Sequence, residues 1–509
     1  MYRILMEASD ASQRTPRRGH AVAGGVLLLL LLFTPAALAF DLAPRIRQFT
    51  LDNGMTVLVL RRPGAPIFAA HMAFKVGGVE EREGATGAAH LLEHMMFKGT
   101  DRLGSLDWGK EKPLLEEVNR IGAERDAARR RGAAKAEIDE LAAKLDAAEA
   151  RHKEYVVSEI YSKIYAAAGG VGYNAGTSKD LTSYIIRLPA NKLRLWAWVE
   201  SQRLKHSVFR EYYAERDVVM EERRIRYENS PEGALYERYL SAAFIANPYG
   251  NPVIGWPSDI ATLPLAEVER FWNDWYVPSN AVVALVGDLD FDEVKRIVTE
   301  YFADIPSRPL PDRVVTEEPT QGGLRRVELV KDARPSFMMG YHKPVWPHAD
   351  GPVFSVIDGI LAGGPTARFT TRLVREKKVA IDLGVWSAPG ERYPNLYTIY
   401  GAPRPPHTVD DVAAAVREEL SLLAAVPVGD EELARVKSRF EADYVKGMVS
   451  HYGMARLLAT YQIMTGDWRN VEREMEAIKK VTPADIMAVA QRYFTRENET
   501  LALLVEAPR

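Results

Sequence analysis

Two histidines four positions apart, His90 and His94, enclose the segment HLLEH. The flanking residues from Ala88 to Phe97 are strong helix formers, and Lys98-Gly99 marks a helix end. On a helix both imidazoles project from one face, as a pair of metal ligands does. Glu93 borders that face, where it can reach water on a metal without competing for coordination. Zinc lowers the pKa of bound water to about 7 and a nearby carboxylate can take its proton, so the pattern predicts amide hydrolysis.

A catalytic zinc ion usually has three protein ligands, so a third is expected elsewhere in the chain. The best candidate helix runs from Glu215 to Arg224, ERDVVMEERR. Glu215 and Glu222 are seven positions apart and therefore share one helix face. One of them would bind the metal while the other would orient an imidazole. Spacing alone does not choose among Glu215, Glu221 and Glu222.

Each of these signals has a simpler explanation when it is taken alone. With 10 histidines in 509 residues, a His-x-x-Glu-His pattern arises by chance in roughly one or two of a hundred such chains. The histidines would then lie on a helix surface, and the glutamate run would be a solvated acidic helix. The occurrence of both together favours a metal site.

The composition narrows the remaining possibilities. The chain has 66 basic and 69 acidic side chains, a balance that gives no electrostatic reason to expect nucleic acid as a partner. Hydrophobic residues make up 47% of the chain and charged residues 27%, as in soluble globular proteins. There are no cysteines, so a zinc ion must be held by histidine and carboxylate.

The N-terminus has the pattern of a secretory signal. Arginines precede an apolar run from Val26 to Phe33, and Ala37-Leu38-Ala39 resembles a small-residue cleavage site. We therefore expect residues 1–39 to be a signal peptide and the protein to be exported to the periplasm. If the signal stays uncut, Ala21 to Phe40 is about long enough to anchor the chain in a membrane.

A sequence pattern near residue 280 recurs near the C-terminus. Residues 271–280 (FWNDWYVPSN) lead into an apolar strand at 281–288, and residues 488–498 lead in the same way into 501–505. Asn498 corresponds to Asn280 in this alignment. The chain is therefore predicted to contain a duplicated unit of somewhat more than about 200 residues.

Each half opens with alternating apolar strands, such as 56–60 and 67–74, and then turns to helices. Strands in one run and helices in another predict an α+β fold. Three prolines in the stretch IPSRPLP, residues 305–311, predict a linker at 306–315. The expected domains are therefore 40–305 and 316–509.

One segment fits neither half. Residues from Pro113 to about Tyr155 are rich in Ala, Glu, Lys and Arg, with apolar residues at helical spacing and a break at Gly132. This pattern predicts an inserted helical hairpin. A solvated helix pair that covers a cleft is the first interpretation, and a docking arm for a partner is the second.

At these positions the sequence resembles the insulinase and pitrilysin superfamily of inverted-motif zinc peptidases, and it is most similar to bacterial members that look like mitochondrial processing peptidase subunits. The resemblance is carried by HLLEHMMFKGT at 90–100, by NAGT at 174–177, by residues 215–222 and by NPYG at 247–250. It covers almost all of the chain after the signal, more weakly in the second half.

The resemblance implies specific roles for these residues. His90, His94 and Glu222 would bind one zinc ion per chain. Glu93 would be the general base, and Glu215 would be the supporting carboxylate. The family's fold implies that each half contains two α+β units and that a pair of halves closes like a clamshell over an unfolded peptide.

The resemblance also implies a mode of substrate binding. Asn174 and Ala175 would lie on a sheet edge that receives the peptide as an added strand. Arg375 resembles a family arginine that holds the substrate carbonyl. The family has a tyrosine seven residues later, where this chain has Asp382, so the pair is incomplete.

This incomplete pair motivates a hypothesis about assembly. Some bacterial relatives place the zinc motif in one chain and the Arg and Tyr in another. The chain would then be the metal-bearing subunit of a heterodimer, with a homodimer as the alternative.

Two other functions compete with a zinc endopeptidase that acts on peptides outside the cytoplasm. One is a non-catalytic scaffold or binding subunit, because this fold also occurs in inactive partners. The other is zinc-dependent hydrolysis of a non-peptide substrate. The presence of the base together with all three candidate ligands favours the peptidase.

Overall fold

The computed structural model describes residues 42–507, so the predicted signal peptide lies outside the described residues. Its strands form two sheets, one in each half of the chain. The strands of the first sheet are β1 Ile46–Thr50, β2 Thr56–Arg61, β3 Ile67–Phe74, β4 Val171–Thr177, β5 Thr182–Pro189 and β6 Ala281–Gly287. The strands of the second are β7 Arg325–Lys331, β8 Ser336–Lys343, β9 Ala380–Ala388, β10 Asn395–Pro403 and β11 Glu499–Glu506.

Helices follow the strands in both halves, which confirms the predicted α+β class. Those of the first half are α1 Ala88–Met95, α2 Trp108–Arg130, α3 Lys135–Lys153, α4 Ile160–Ala167, α5 Leu193–His206, α6 Tyr212–Arg223, α7 Pro231–Ala243, α8 Pro257–Thr262, α9 Leu265–Trp275 and α10 Phe291–Phe302. Those of the second half are α11 Gly351–Ala362, α12 Val409–Ala425, α13 Asp430–Gly447, α14 His451–Thr465, α15 Asn470–Lys480 and α16 Pro483–Tyr493. Within residues 42–507, none of these helices has both the length and the apolar composition that crossing a bilayer requires.

The two sheets have the same topology. The first has the order β1-β2-β6-β3-β5-β4 and the second β7-β11-β8-β10-β9, so each strand after β1 has a counterpart. β2 pairs in parallel with β6, as β7 does with β11, and the other neighbours are antiparallel. Each half carries one sheet, so the duplicated unit is the half itself.

The two asparagines that the sequence pattern aligned make the same contacts. Asn280 Nδ2 donates to Trp275 O at 2.9 Å, at the end of α9. Asn498 Nδ2 donates to Tyr493 O at 2.9 Å, at the end of α16. Each side chain therefore caps the helix that precedes the last strand of its half, which explains why the pattern recurs.

Each half also contributes one helix to the far face of the other sheet. α7, from the first half, packs against β7, β8 and β11, where it buries Tyr239 with Leu504. α14, from the second half, packs against β3 and β6, where it buries Leu458 with Ala284. Each sheet is therefore covered on both faces only when the two halves are in contact. Burial of this apolar surface stabilises the association of the halves.

Buried ion pairs join the halves at the linker. Glu80 of the first half pairs with Arg313 of the predicted linker at 3.1 Å and with Arg392 of the second half. Asp180 accepts hydrogen bonds from the Tyr249 hydroxyl at 2.7 Å and from the Glu391 backbone N–H at 2.6 Å. Both carboxylates are nearly inaccessible to water. They therefore stabilise the contact between the halves only while their ion-pair and hydrogen-bond partners are all present.

The predicted hairpin is the pair α2 and α3, joined by a turn at Gly132 with a positive φ of 68°. α2 begins at Trp108, earlier than the predicted Pro113. The Asp107 side chain caps the helix by accepting from the Lys110 N–H, so the proline lies inside the helix rather than at its start.

A histidine is buried beneath α14. His71 on β3 is 3% exposed, and neither ring nitrogen has a hydrogen-bond partner within the part of the chain that the structure describes. Burial, with a smaller contribution from the Arg456 charge, lowers the pKa of His71 from 6.5 to about 3. The imidazole is therefore neutral in the folded protein at neutral pH.

His71 should make the protein less stable in weak acid. Below pH 6.5 the His71 imidazole is protonated in the unfolded chain, but in the folded protein it stays neutral until near pH 3. The free energy of unfolding therefore decreases as the pH falls from 7. The loss is about 2 kcal/mol between pH 7 and pH 5. In His71→Leu we expect urea unfolding to show that much less pH dependence and a higher stability at pH 5. An unchanged dependence would contradict the assignment.

Candidate metal centre

The first element of the site is α1, which carries both histidines. It starts after Gly87, whose φ of +90° turns the chain into the helix, and the Ala89 N–H at this end donates to Glu81 Oε1 at 2.8 Å. It stops before Gly99, another left-handed residue with a φ of +93°. The imidazole rings of His90 and His94 lie 4.7 Å apart on one face, as the spacing predicts.

The carboxylate of Glu222 on α6 faces both rings. Its Oε2 lies 3.7 Å from His90 Nε2 and 3.6 Å from His94 Nε2, and the three ligand atoms lie within 4.8 Å of one another. Tetrahedral zinc with bonds of about 2.0–2.1 Å separates its ligand atoms by about 3.3–3.5 Å. Two neutral imidazoles and one carboxylate are also a common donor set for catalytic zinc, so these residues fit the ion.

Glu215 orients His94 from the side away from Glu222. Its Oε1 lies 2.8 Å from His94 Nδ1, which leaves Nε2 free to bind a metal. Its Oε2 pairs with Lys98 Nζ at 2.5 Å. Burial alone would raise the pKa of Glu215, but the hydrogen bond with His94 and the charge of Lys98 lower it to about 2. The carboxylate is therefore ionised and holds one tautomer of the ring.

Glu93 lies beside the ligands and not among them. Its Oε2 accepts a hydrogen bond of 2.7 Å from the Thr177 hydroxyl, at the end of β4. Burial raises the pKa of Glu93, and the hydrogen bond from Thr177 opposes that rise. A carboxylate held in this position can exchange a proton with a water next to the three ligand atoms.

The structure distinguishes the three glutamates that spacing left open. α6 presents Glu215 and Glu222 to α1, whereas Glu221 is exposed and pairs with Arg224, the first residue after α6. The opposite stripe of α6, which includes Tyr212, Arg216 and Val219, is buried. The rotation of α6 that buries this stripe is therefore what aims Glu222 at the histidines.

Asn174 and Ala175 lie on β4, the edge strand of the first sheet. β4 pairs with β5 on one side only, in the part of the chain that the structure describes, and α1 packs against it. The backbone groups on an unpaired strand edge are able to bind an extended peptide. Thr177 at the end of the same strand contacts Glu93, so this edge leads directly to the ligand atoms.

Arg375 lies apart from this cluster. It is exposed, in the π-helical segment Phe369–Glu376, and within residues 42–507 it makes no ion pair. Asp382, on edge strand β9, is exposed and pairs with Arg334 at 3.5 Å. Arg375 and Asp382 occupy the positions of the family's carbonyl-binding pair, and no contact among the described residues brings either of them to the metal ligands.

A cavity of about 470 Å³ adjoins the ligands on the His94 side. α1, α4, α6 and the segment 156–159 after the hairpin enclose it, with Phe97, Tyr161 and Val157 among its lining residues. Glu93 and Glu215 line it as well. The space beside the candidate base is therefore large enough for a side chain of a bound peptide.

Two residues at the site were not found from the sequence. Thr177 had no signal beyond its place in NAGT, since a threonine at a strand end is common. Arg226 pairs with Glu222 Oε1 at 2.9 Å and leaves Oε2 toward the histidines. The four-residue spacing from Glu222 to Arg226 is the signal that identifies such a pair, although π-helical backbone at Arg224–Glu228 modifies the spacing here.

Up to residue 507, the second half has no equivalent metal site. α11 and α13 pack on each other as α1 and α6 do, but Gly359 of α11 lies at the contact. A Cβ atom on Gly359 would lie 2.4 Å from Val436 and 3.0 Å from Phe440, so no histidine fits there without rearrangement. Among the described residues, the His90, His94 and Glu222 group is the one that brings metal-ligand atoms together.

Comparisons with known proteins agree with this division. A family model described as Insulinase (Peptidase family M16) matches residues 56–133, which include the HLLEH segment. A second, described as Peptidase M16 inactive domain, matches residues 262–440. Over 475 residues the chain is 26% identical to the zinc protease PqqE of Helicobacter pylori, covering 91% of this chain and 93% of that protein.

Solved structures show the same fold. A protease from Helicobacter pylori superposes with a TM-score of 0.76 at 23% identity, over 90% of this chain and 99% of that one. The periplasmic protease PqqL from Escherichia coli superposes with a TM-score of 0.67 at 17% identity, over 91% of this chain but only 47% of the longer PqqL chain. One such longer chain therefore has room for two units of this size.

Proposed function

This chain belongs to the insulinase and pitrilysin superfamily, and from that premise we propose that it is a zinc-dependent endopeptidase that hydrolyses unfolded peptides or small proteins outside the cytoplasm. The observation that supports this most is the convergence of His90, His94 and Glu222 with Glu93 beside them. An inactive homologue has no need to keep a base and three ligands together.

His90, His94 and Glu222 hold one zinc ion per chain in this proposal. When bound there, zinc would supply a Lewis acid for the scissile carbonyl and would lower the pKa of water to about 7. Glu93 accepts a proton from the attacking water and then donates it to the leaving amine nitrogen. The Thr177 hydroxyl, at 2.7 Å, keeps the Glu93 carboxylate oriented for both transfers.

The substrate binds as a strand added to β4. Backbone groups of Asn174 and Ala175 pair with the peptide, which lays an extended chain along α1 toward Glu93. Recognition through backbone groups requires an extended chain, and this requirement favours unfolded peptides over folded proteins. Arg375 reaches substrate in this proposal only as part of an assembled pair of subunits.

A related subunit completes the active site. This chain covers 47% of PqqL and 92% of the separately solved first half of PqqL, so PqqL is long enough to hold a second unit of this size in the same polypeptide. We propose that this chain pairs with a second peptidase subunit, either a copy of itself or a homologue that carries the arginine and tyrosine. The exported location rests on the signal pattern of residues 1–39 and on the similarity to PqqL, a periplasmic protease.

The proposal is tested with the purified chain. We expect about one zinc per chain by elemental analysis and cleavage of a disordered peptide that a chelator abolishes and added zinc restores. Cleavage by the chain alone would exclude an obligate heterodimer, whereas cleavage only after addition of a homologous subunit would support one.

A non-catalytic scaffold is the second candidate, because the model that matches residues 262–440 is described as inactive. That alternative would be established if the chain binds peptide but does not bind zinc, and if it cleaves no peptide either alone or with a homologous subunit. The peptidase proposal would then be wrong.

A further inference from the structure

The inserted hairpin is not merely a solvated pair of helices. One face of α2 is buried, and it packs in part against α6, the helix that carries Glu215 and Glu222. The α2 side chains with little exposure include charged ones, which are seldom buried without a specific partner: Glu111, Arg125 and Asp126. Their partners show what the hairpin holds.

The strongest contact is a bidentate ion pair between Asp126 on α2 and Arg216 on α6. Arg216 donates to the two carboxylate oxygens at 2.6 and 2.9 Å, and both side chains are at most 2% exposed. Arg216 lies between Glu215 and Glu222 on its helix. Because a planar guanidinium in a bidentate pair has a defined orientation, this contact restrains both the rotation and the translation of α6.

A second contact lies one turn nearer the start of α6. The Tyr213 hydroxyl donates to the backbone carbonyl of Asn119 at 3.1 Å. Its ring packs directly on Gly122, where a Cβ atom would lie 2.0 Å from the ring. Glycine inside a helix is unfavourable by about 0.5–1 kcal/mol relative to alanine, so this position is explained by the close approach of the two helices.

A third contact ties the base of the hairpin to both metal-binding helices. Arg210, which precedes α6, pairs with Glu111 at 2.5 Å, and Glu111 also contacts His152 of α3 at 3.1 Å. The same guanidinium donates to the carbonyl oxygens of Lys98 at 3.1 Å and Thr100 at 2.7 Å, in the loop that follows α1. The loop after His94, the base of the hairpin and the start of α6 are therefore joined at one arginine.

We infer that the hairpin is a positioning element for the metal centre, in which Asp126 and Arg216 hold Glu222 and Glu215 at the distances the ion requires. The inference rests on the zinc site of the proposed function. A metal site needs its ligands held within about 0.5 Å. α6 packs against α8, the loop around Leu263 and the hairpin, and the hairpin supplies the carboxylate that pairs with Arg216. The inserted segment thus belongs to the active site although it supplies no ligand.

The test is Asp126→Asn, with zinc affinity measured by competition with a chromophoric chelator. Asparagine keeps the shape but removes the charge, so Arg216 loses its bidentate partner. We expect the zinc dissociation constant to rise by about tenfold or more, as for residues that orient metal ligands. The matched control is Glu117→Gln, which breaks the exposed pair between α2 and Arg151 of α3 but touches nothing on α6, and its zinc affinity should stay within twofold.

Stability must be separated from positioning. Zinc affinity is therefore measured below the unfolding temperature of the zinc-free variant, where a purely structural role leaves it unchanged. If Asp126→Asn does not yield folded protein, Tyr213→Phe removes only one hydroxyl and is expected to weaken zinc binding two- to fivefold. Wild-type zinc affinity in the folded variant would overturn the inference.

These outcomes are distinct from failure of the proposed function. If the wild-type chain binds no zinc, the peptidase proposal itself is wrong and the hairpin has no metal centre to position. If wild type binds zinc and cleaves peptide while Asp126→Asn does both equally well, the function stands and only the role of the hairpin is refuted.

Discussion

Replacing Glu93 by Gln is expected to leave zinc bound while peptide hydrolysis falls by about a hundredfold or more. Glutamine has nearly the same shape and can still interact with the Thr177 hydroxyl, but it cannot accept a proton from water. The ligand atoms of His90, His94 and Glu222 are untouched by the change. Zinc content by elemental analysis and cleavage of a disordered peptide, measured on one preparation, check both halves of the prediction.

Two outcomes would revise the role of Glu93. Normal cleavage by Glu93→Gln would remove the residue from the mechanism. Loss of zinc would instead show that Glu93 is a ligand, which conflicts with its position beside Thr177 rather than facing the two imidazole nitrogens. Thr177→Val supplies a graded comparison, because it leaves the carboxylate in place but without its hydrogen bond. A smaller loss of rate with zinc retained is expected there.

The histidine helix could be predicted from sequence because its geometry is local. Two residues four positions apart on a helix share a face whatever surrounds them. The helix end was predicted less well, because α1 ends at Met95, before the predicted end at Lys98-Gly99. The strands at 67–74 and 281–287 could also be predicted from sequence, because a short apolar run bounded by turn residues is compatible with few structures other than a buried strand.

The third ligand depends on packing that no local pattern encodes. Glu221 and Glu222 are adjacent, and a rotation of α6 by one residue would exchange them. That rotation is set by long-range contacts such as Arg216 with Asp126. For the same reason the sequence did not predict that α7 packs on the sheet of the second half and α14 on the sheet of the first half. An amphipathic helix indicates that one face is buried, not which sheet buries it.

Replacing Glu222 by Ala should abolish peptide hydrolysis and raise the zinc dissociation constant by at least about a hundredfold. Two imidazoles remain in this variant, and they leave the ion without its one charged ligand and with an incomplete coordination sphere. Arg226 also loses the carboxylate oxygen that it contacts at 2.9 Å, which places an unpaired positive charge near the site. Both effects act against binding a divalent cation.

The adjacent residue provides a strict comparison for this prediction. Glu221→Ala removes the same carboxylate from the same helix, with the same change in helix propensity and net charge, but from a side chain that is half exposed and paired with Arg224. Its zinc affinity and hydrolysis should match wild type, because an exposed pair of this kind contributes little. Equal losses of zinc affinity and hydrolysis in both variants would mean that the net negative charge of α6 holds the ion. The assignment of Glu222 as a ligand would then be wrong. Loss confined to Glu222→Ala would show that the orientation of the helix, and not its charge, forms the site.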